Sequence, residues 1–261
     1  SAIAESALHR ASIPQSDLPH GTTRGTFGGN AQGRYFGFLD FPDYFSDRQL
    51  VALTTFSDLL PEVRERVIAD AVSRGFVNDG VRLRDGGSGA TAYADAIVTY
   101  LAFVVDKCAD YWSTITTWAQ QGFVRSTFPR PAIAMSWDFT ETNPFSSSTG
   151  NWMAMVDWVW KALQRMPATG GGAVIQRDAR ARVREATGAA VSTDPPYYDN
   201  ISYADVSDFF FVWLRRNLAD VWPDECATLQ TPKAEELIAN RYRAGSKEAA
   251  EEYFESGMAE F

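Results

Sequence analysis

The residues best suited to chemistry in this sequence are Asp194-Pro-Pro-Tyr197, which follow the short apolar run 189–191. A proline has no N–H and disfavours the helical conformation in the residue before it, so the carbonyls of Asp194 and Pro195 stay available as hydrogen-bond acceptors. The tetrapeptide therefore offers a carboxylate and free carbonyls as acceptors on one short stretch of chain. Tyr197 adds a flat aromatic surface beside them.

The sequence around this tetrapeptide favours an active-site loop over the rigid surface turn that the same four residues usually form. The preceding run 189–191 predicts a strand, and Ser202 with Asp205 three residues later predicts a capped helix over 202–218. The loop then leaves the carboxyl end of a strand, where open α/β sheets bind their ligands. The helix is apolar almost all round, so we expect it to be buried, with Asp205 and Asp208 on one face that caps the helix or lines the site.

A longer segment, Asp194–Arg216, reads DPPYYDNISYADVSDFFFVWLRR and is similar to a family of large prokaryotic DNA methylases identified as adenine-specific. Weaker similarity to the same family lies at 45–53, 97–118, 137–145, 231–237 and 253–258. The resemblance covers roughly residues 34–261, and Asp194–Arg216 is its most specific part. Its loop resembles that of the amino-methyltransferases, which transfer a methyl group from S-adenosylmethionine to the exocyclic amino group of adenine or cytosine.

The resemblance implies a function and a set of catalytic residues. The function is S-adenosylmethionine-dependent methylation of the exocyclic amino group of adenine in DNA, with Asp194, Pro195, Pro196 and Tyr197 as catalytic residues. The target base must leave the duplex, at a cost of a few kcal/mol, and Tyr197 would stack on it. The tetrapeptide occurs more often with adenine than with cytosine in such families, although methylation of cytosine, of RNA or of protein glutamine uses similar loops.

The candidate substrate-binding residues follow the tetrapeptide and are Tyr198, Asn200, Arg215 and Arg216. The two arginines close the predicted helix and can neutralise DNA phosphates near the site. Two interpretations of Lys233 are open: by resemblance it contacts a phosphate, or it is a lysine on the protein surface. The chain carries 24 basic and 33 acidic residues, a formal net charge of −9, which is unlike a protein that binds nucleic acid over its entire surface. We therefore expect DNA to contact local basic groups.

The candidate cofactor-binding residues are Asp178, at the end of a predicted strand, and Asn143, in a turn-rich loop. By resemblance, Asp178 lies near the adenine of S-adenosylmethionine, but an acidic residue at this position also serves as a helix N-cap. Asn143, like its neighbours Asp138 and Glu141, either contacts the cofactor or base or caps a turn.

The glycine-rich cofactor loop of the family is not found in this sequence. Segments 27–30 and 85–89 are rich in glycine, but neither follows an apolar strand or begins an obvious helix. We therefore expect the remaining domains of a larger protein to supply that loop. Cys108 and Cys226 are far apart and lack neighbouring histidines, so no metal site is predicted.

The predicted fold is α/β, with part of a Rossmann-like, S-adenosylmethionine-dependent methyltransferase sheet and a large helical insertion. Residues 1–33 are expected to form an extended lead-in, 34–170 a mainly helical region and 171–261 the catalytic segment. Periodicity predicts helices over 47–60, 61–75, 91–120, 151–165 and 202–218 and strands over 131–139, 173–179 and 189–191.

No run of about eighteen apolar residues and no signal sequence is apparent. Together with two well separated cysteines, this predicts a cytoplasmic protein. An alternative function is a non-catalytic nucleic-acid-binding or assembly module of a restriction or phage-defence system. The missing glycine-rich loop favours that alternative for this chain alone.

Overall fold

The computed structural model describes residues 37–38, 40–129, 136–166 and 192–260, together with the single positions 172, 174, 178 and 190. Helices dominate this part of the chain, and they are accompanied by two short strands and by the 3-10 turns Phe41–Tyr44 and Leu83–Asp85. The elements in chain order are α1 (Asp47–Asp58), α2 (Leu60–Ser73), α3 (Ala90–Tyr111), β1 (Thr117–Ala119), β2 (Phe123–Arg125), α4 (Trp152–Arg165), α5 (Tyr203–Leu218), α6 (Arg241–Ala244) and α7 (Lys247–Glu260).

Helices α1 and α2 begin close to where the sequence predicts them, and their ends have local causes. Ser46 accepts a hydrogen bond from the backbone N–H of Gln49, whose side chain accepts one from the N–H of Ser46 at 2.8 Å, a reciprocal capping box. The first helix ends before Leu59, and Pro61 lies in the first turn of α2, where a proline is tolerated. Both helices are therefore confirmed.

Helix α3 ends at Tyr111, so its predicted extension to residue 120 is wrong. The five residues after Trp112 are serine and β-branched residues, which have low helix propensity and bond the backbone through their hydroxyls. Thr116 Oγ1, for example, donates to the carbonyl of Ser113 at 2.9 Å. Trp112 is buried and donates from Nε1 to the carbonyl of Gly150 at 2.7 Å, a contact that is distant in sequence. The chain then reverses into the antiparallel pair β1–β2.

The core lies where α5 packs against α1 and α3, and aromatic rings form much of it. Phe209 and Trp213 of α5 are buried. Phe45 stacks on Phe209 with ring centroids 5.5 Å apart and meets Trp213 edge-on at 5.6 Å. Such rings bury a large apolar area, and their stacked and edge-on arrangements add further stabilising free energy. The prediction that α5 is buried is confirmed for the face that carries Phe209, Val212 and Trp213.

Polar contacts fasten the carboxyl end of α5 to other helices. Arg216 donates to Oδ1 of Asp58, at the end of α1, with a distance of 2.6 Å. Just beyond α5, Trp222 Nε1 donates to the hydroxyl of Thr99 on α3 at 2.9 Å. The helix that follows the predicted active-site loop is therefore fixed at its far end.

The strands of the predicted Rossmann-like sheet fall almost entirely outside the described residues. Of the predicted strands 173–179 and 189–191, only Val174, Asp178 and Ala190 are described, and these three have no regular secondary structure. The observed fold is mixed, mainly helical with one antiparallel pair of strands. A Rossmann-like sheet stays a prediction.

The other predicted extended segments also lie largely outside the described residues. This holds for the lead-in 1–33 and for 131–135 of the predicted strand 131–139, while 136–139 form no strand. Within the part of the chain that the structure describes, no helix combines the length and the apolar character needed to cross a membrane.

Candidate functional site

The predicted active-site loop is an exposed segment that leads into α5. Residues 192–197 have no regular secondary structure, and every side chain from 192 to 200 is exposed. The loop ends in a turn closed by the N–H of Asn200, which donates to the carbonyl of Tyr197 at 3.1 Å. Helix α5 begins at Tyr203, within one residue of its predicted start. The predicted order of loop and helix is confirmed.

Within this loop, Asp194 and Tyr197 are hydrogen-bonded to each other. The Tyr197 hydroxyl donates to Oδ1 of Asp194 at 2.9 Å, and this bond together with the charge of the carboxylate raises the pKa of Tyr197 above its ordinary value. The tyrosine is 52% exposed, so its ring is open to a stacking partner. Asp194 forms no ion pair with any described residue, which leaves its second oxygen available as an acceptor.

The two prolines have the effect on the backbone that the sequence predicts. Among the described residues, no donor bonds the carbonyl of Asp194 or of Pro195, and both residues are exposed. Pro195 and Pro196 supply no N–H and keep the segment out of the helix that follows. The loop therefore presents a carboxylate, two open carbonyls and an aromatic ring on one short stretch of chain.

The predicted cap of α5 is wrong. The Ser202 side chain does not accept from the first helical turn, and its hydroxyl instead accepts a hydrogen bond from Nδ2 of Asn240 at 3.2 Å. The N–H of Ala204, in that first turn, donates to Oε1 of Glu236 at 2.9 Å. Side chains 32 and 38 residues downstream thus satisfy the start of this helix, which no local sequence pattern reveals.

Two buried carboxylates on α5 are neutralised by the same downstream part of the chain. Asp205 pairs with Arg243, and Asp208 pairs with Lys233, each with an N–O distance of 2.6 Å. Both acids are almost completely buried, at 0% and 1% exposure. Thr231 adds two hydrogen bonds to Oδ1 of Asp208, from its N–H and its hydroxyl, at 2.8 Å each. Lys233 is therefore a partner of Asp208 in this structure.

Sequence reasoning missed this network, although a signal for it was present. A buried charge without a partner is very costly, so two acidic residues on the buried face of an apolar helix require cations nearby. Burial would lower the pKa of Arg243, but the charge of Asp205 and the hydrogen bond and charge of Glu236 raise it overall. The network holds the start of α5, and with it the exit of the loop, against the segment 231–243.

Two of the predicted substrate-binding residues, Tyr198 and Asn200, lie directly beside the Asp194–Tyr197 pair. The Tyr198 hydroxyl donates to Oε1 of Glu251 at 2.9 Å, so this side chain is used in a contact within the protein. Asn200 closes the turn through its backbone, and its side chain is exposed. Asn200 is therefore the one of the two whose side chain is open to a ligand at the loop.

The other two predicted substrate-binding residues, Arg215 and Arg216, lie at the opposite end of α5. The helix rises about 18 Å between Tyr203 and Arg215, at 1.5 Å per residue. Arg216 is also paired with Asp58. The structure does not bring these arginines to the loop, and their contact with DNA phosphates stays a prediction.

Asn143, a predicted cofactor residue, caps a turn, which is the second of the two roles that the sequence predicts for it. Its Oδ1 accepts a hydrogen bond from the N–H of Phe145 at 3.0 Å. It lines a cavity of about 290 Å³ together with Glu141. Both carboxylate oxygens of Glu141 already accept hydrogen bonds, from Ser46 at 2.6 Å and from Arg48 at 2.9 Å. The ribose of an adenosyl group that bonded Glu141 in this cavity would have to displace the Arg48–Glu141 ion pair.

Asp178, the other predicted cofactor residue, is described without its neighbours in sequence and is partly buried. Neither Asn143 nor Asp178 is shown in a site for the adenosyl group of S-adenosylmethionine, and cofactor binding stays a prediction. Cys108 and Cys226 are buried free thiols, and burial raises the pKa of both. Among the residues that the structure describes, no cluster of His, Cys, Asp and Glu could hold a metal ion.

No family model, no curated protein and no solved structure matches this chain. The likeness to adenine-specific DNA methylases is therefore a prediction from the sequence, carried by the Asp194–Tyr197 loop and the helix after it.

Proposed function

We propose that this chain carries the active-site loop of an S-adenosylmethionine-dependent DNA amino-methyltransferase that modifies the exocyclic amino group of adenine. One observation carries the proposal: the Asp194 carboxylate, the open carbonyls of Asp194 and Pro195 and the Tyr197 ring are exposed together in a loop that leads into a buried helix. These are the groups that an aromatic amine requires, namely acceptors for its N–H groups and a flat surface for its ring.

In the proposed reaction, the adenine amino group donates one N–H to the Asp194 carboxylate and the other to the Pro195 carbonyl. These two hydrogen bonds favour the pyramidal amine, whose lone pair is localised on nitrogen and can attack a methyl group. S-adenosylmethionine would supply that methyl group when bound, because its sulfonium S–CH3 bond breaks with the electron pair left on sulfur as a neutral thioether. The methylated nitrogen carries one proton too many, and Asp194 accepts that proton. Because the loop is exposed, the carboxylate can release it to solvent.

Tyr197 offsets part of the cost of taking the adenine out of the duplex. Extrusion costs a few kcal/mol, and stacking on an aromatic side chain returns about 1–3 kcal/mol per base. Pro195 and Pro196 limit the motion of the chain between the carboxylate and this ring, so both face the same base. We place Asn200, whose side chain is exposed at the following turn, at the rim of this surface.

The proposal includes a Rossmann-like sheet and further domains of a larger enzyme. The family that the chain resembles holds its cofactor with a glycine-rich loop that this sequence lacks. We therefore propose that S-adenosylmethionine is bound with the help of those domains. The net charge of −9 counts against DNA binding over the entire surface, so we propose local contacts, in which Arg215 and Arg216 meet phosphates away from the loop.

Methyl transfer to DNA by the complete natural enzyme tests the proposal, with N6-methyladenine measured by mass spectrometry. Asp194→Ala removes the proton acceptor and is expected to lower the rate by at least about 100-fold. Asp199→Ala is the matched control, because Asp199 is a second exposed carboxylate in the same loop, and this variant should keep nearly full activity. Full activity in Asp194→Ala would contradict the proposed role of the loop.

A non-catalytic nucleic-acid-binding or assembly module of a restriction or phage-defence system is the second candidate. The observation that favours it is that two residues considered for the cofactor are used within the protein, since Asn143 caps a turn and Glu141 is held by Arg48. DNA binding by the natural protein without any methyl transfer to adenine would support this candidate instead.

A further inference from the structure

Tyr198 has a backbone conformation that bulky residues rarely adopt. Its φ of +59° lies in the left-handed region, and among the described residues it is the one non-glycine residue with a positive φ. This conformation is unfavourable for such a residue and persists only where surrounding contacts fix it. Tyr198 directly follows Tyr197, so its conformation helps to set the direction in which the Tyr197 ring faces.

Three contacts fix Tyr198, one for each part of the residue. Its hydroxyl donates to Oε1 of Glu251 on α7 at 2.9 Å. Its ring meets the ring of Phe254, on the same helix, edge-on with centroids 5.2 Å apart. Its carbonyl accepts a hydrogen bond from the N–H of Ala239 at 3.0 Å. The side chain of Tyr198 is thus directed to α7, whereas Tyr197 bonds Asp194 on the loop itself.

Helix α7 is held in place by contacts that do not involve the loop. Gly257 packs so closely against Leu237 that a Cβ atom added to it would overlap the leucine side chain. The Tyr253 hydroxyl donates to the carbonyl of Ala234 at 3.1 Å. The helix is therefore a support that does not depend on Glu251, and loss of the Glu251 side chain should leave it in position.

We propose that Tyr198 is the positioning residue of the active-site loop, and that Glu251 and Phe254 of α7 hold it in the left-handed conformation that presents Tyr197 and Asp194 to the base. This inference rests on the proposed function, because it assigns a role relative to a bound adenine. A misplacement of about 1 Å can lower the rate of a reaction about 100-fold, so a support of this kind affects catalysis without touching the base.

Single substitutions can remove the Tyr198–Glu251 hydrogen bond without disturbing the rest of the fold. Tyr198→Phe removes the hydroxyl that bonds Glu251 and keeps the ring against Phe254. Glu251→Ala removes the acceptor, and Glu251→Gln retains an acceptor oxygen and should restore the behaviour of the unmodified protein. Glu252→Ala is the matched control, because Glu252 is an exposed carboxylate beside Glu251 on α7 and its removal leaves the contacts of Tyr198 intact.

The first measurement is hydrogen exchange at the N–H groups of Asn200 and Ala239, which donate to the carbonyls of Tyr197 and Tyr198. We expect exchange about two- to tenfold faster in Tyr198→Phe and in Glu251→Ala, the equivalent of one net hydrogen bond. Glu251→Gln and Glu252→Ala should leave both rates unchanged. Unchanged exchange in Tyr198→Phe and Glu251→Ala would overturn the proposal.

The second measurement is steady-state methylation of DNA by the complete natural enzyme. Tyr198→Phe should lower kcat about tenfold while KM for DNA changes less than about twofold, since the loop is misplaced but the DNA surface is intact. An unchanged kcat would overturn the positioning role. If the unmodified enzyme transfers no methyl group, the proposed function fails, and the exchange rates still decide whether α7 holds the loop.

Discussion

Asp194 and Tyr197 form a pair in which each residue remains open to a ligand. The tyrosine hydroxyl occupies Oδ1 of the carboxylate, at 2.9 Å, so a bound amine would meet the other oxygen. An exposed hydrogen bond of this kind adds little to stability, and its effect is to orient the ring relative to the carboxylate. Pro195 and Pro196 restrict the backbone between the two residues. This restriction helps the side chains of Asp194 and Tyr197 to meet although the segment is not helical.

This pair leads to a prediction for the titration of one tyrosine. The hydrogen bond to Asp194 and the charge of its carboxylate raise the pKa of Tyr197 above the ordinary value of about 10. The bond exists below that pKa and is lost as the pH rises through it. In Asp194→Ala the titration midpoint of Tyr197 should therefore fall toward the ordinary value. NMR titration of protein with ¹³Cζ-labelled tyrosine measures this midpoint.

Tyr198 is the internal control for that titration. Its pKa is also raised, by its hydrogen bond to Glu251, and this contact does not involve Asp194. Its midpoint should be the same in the two proteins. A Tyr197 midpoint that does not move in Asp194→Ala would show that the two side chains are not paired in solution.

At the scale of elements, the start of α5 depends on charges that come from later in the chain. Asp205 and Asp208 lie on the buried face of α5. Their cations, Arg243 and Lys233, come from the segment 231–243. Removing one member of a buried pair leaves an uncompensated charge, which costs more than the pair contributes. The segment 231–243 is therefore part of the structural support of the predicted active-site loop.

Arg243→Ala tests this dependence through stability. The substitution leaves Asp205 and Glu236 without their cation, and we expect the free energy of unfolding to fall by about 3 kcal/mol, the lower end of the usual range because Arg243 is partly exposed. Urea unfolding measures the change. Arg241→Ala is the matched control, since Arg241 is exposed in the same helical turn and should change stability by less than about 0.5 kcal/mol. Equal losses in the two variants would contradict the role of the ion pair.

Elements whose causes are local could be predicted from the sequence. The capping box at Ser46 marks the start of α1, and the apolar pattern after Ser202 places α5 within one residue. Apolar periodicity alone did not place the end of α3, because it does not include the low helix propensity of the residues after Trp112 or the distant contact of Trp112 with the carbonyl of Gly150. The predicted cap at Ser202 was wrong because Asn240, 38 residues away, donates to its hydroxyl.

In the candidate site, too, features with local causes could be predicted from the sequence and features that depend on distant contacts could not. The free carbonyls of Asp194 and Pro195 follow from proline geometry alone, and the structure agrees with that expectation. The left-handed conformation of Tyr198 could not be predicted, because it results from contacts with a helix about fifty residues later. The predicted sheet around Asp178 lies outside the described residues and stays a prediction.

At the scale of the whole molecule, the loop and the two arginines lie at opposite ends of α5. The separation of about 18 Å corresponds to roughly five base pairs at 3.4 Å each, which is the span that the proposed DNA contacts would cover. This geometry is compatible with a net charge of −9, because it requires positive charge only at selected points of the surface. We propose that an adenine leaves such a DNA, donates to the second oxygen of Asp194 and stacks on the Tyr197 ring.

The most direct test is the affinity of this protein for an oligothymidine that carries one central adenine, compared with one that carries purine, which lacks the exocyclic amine. Fluorescence anisotropy measures both. We expect tighter binding of the adenine strand, loss of that preference in Asp194→Ala, and an affinity about five- to a hundredfold lower in Tyr197→Ala but not in Tyr197→Phe. Equal affinity for both strands, unaffected by Tyr197→Ala, would contradict the account.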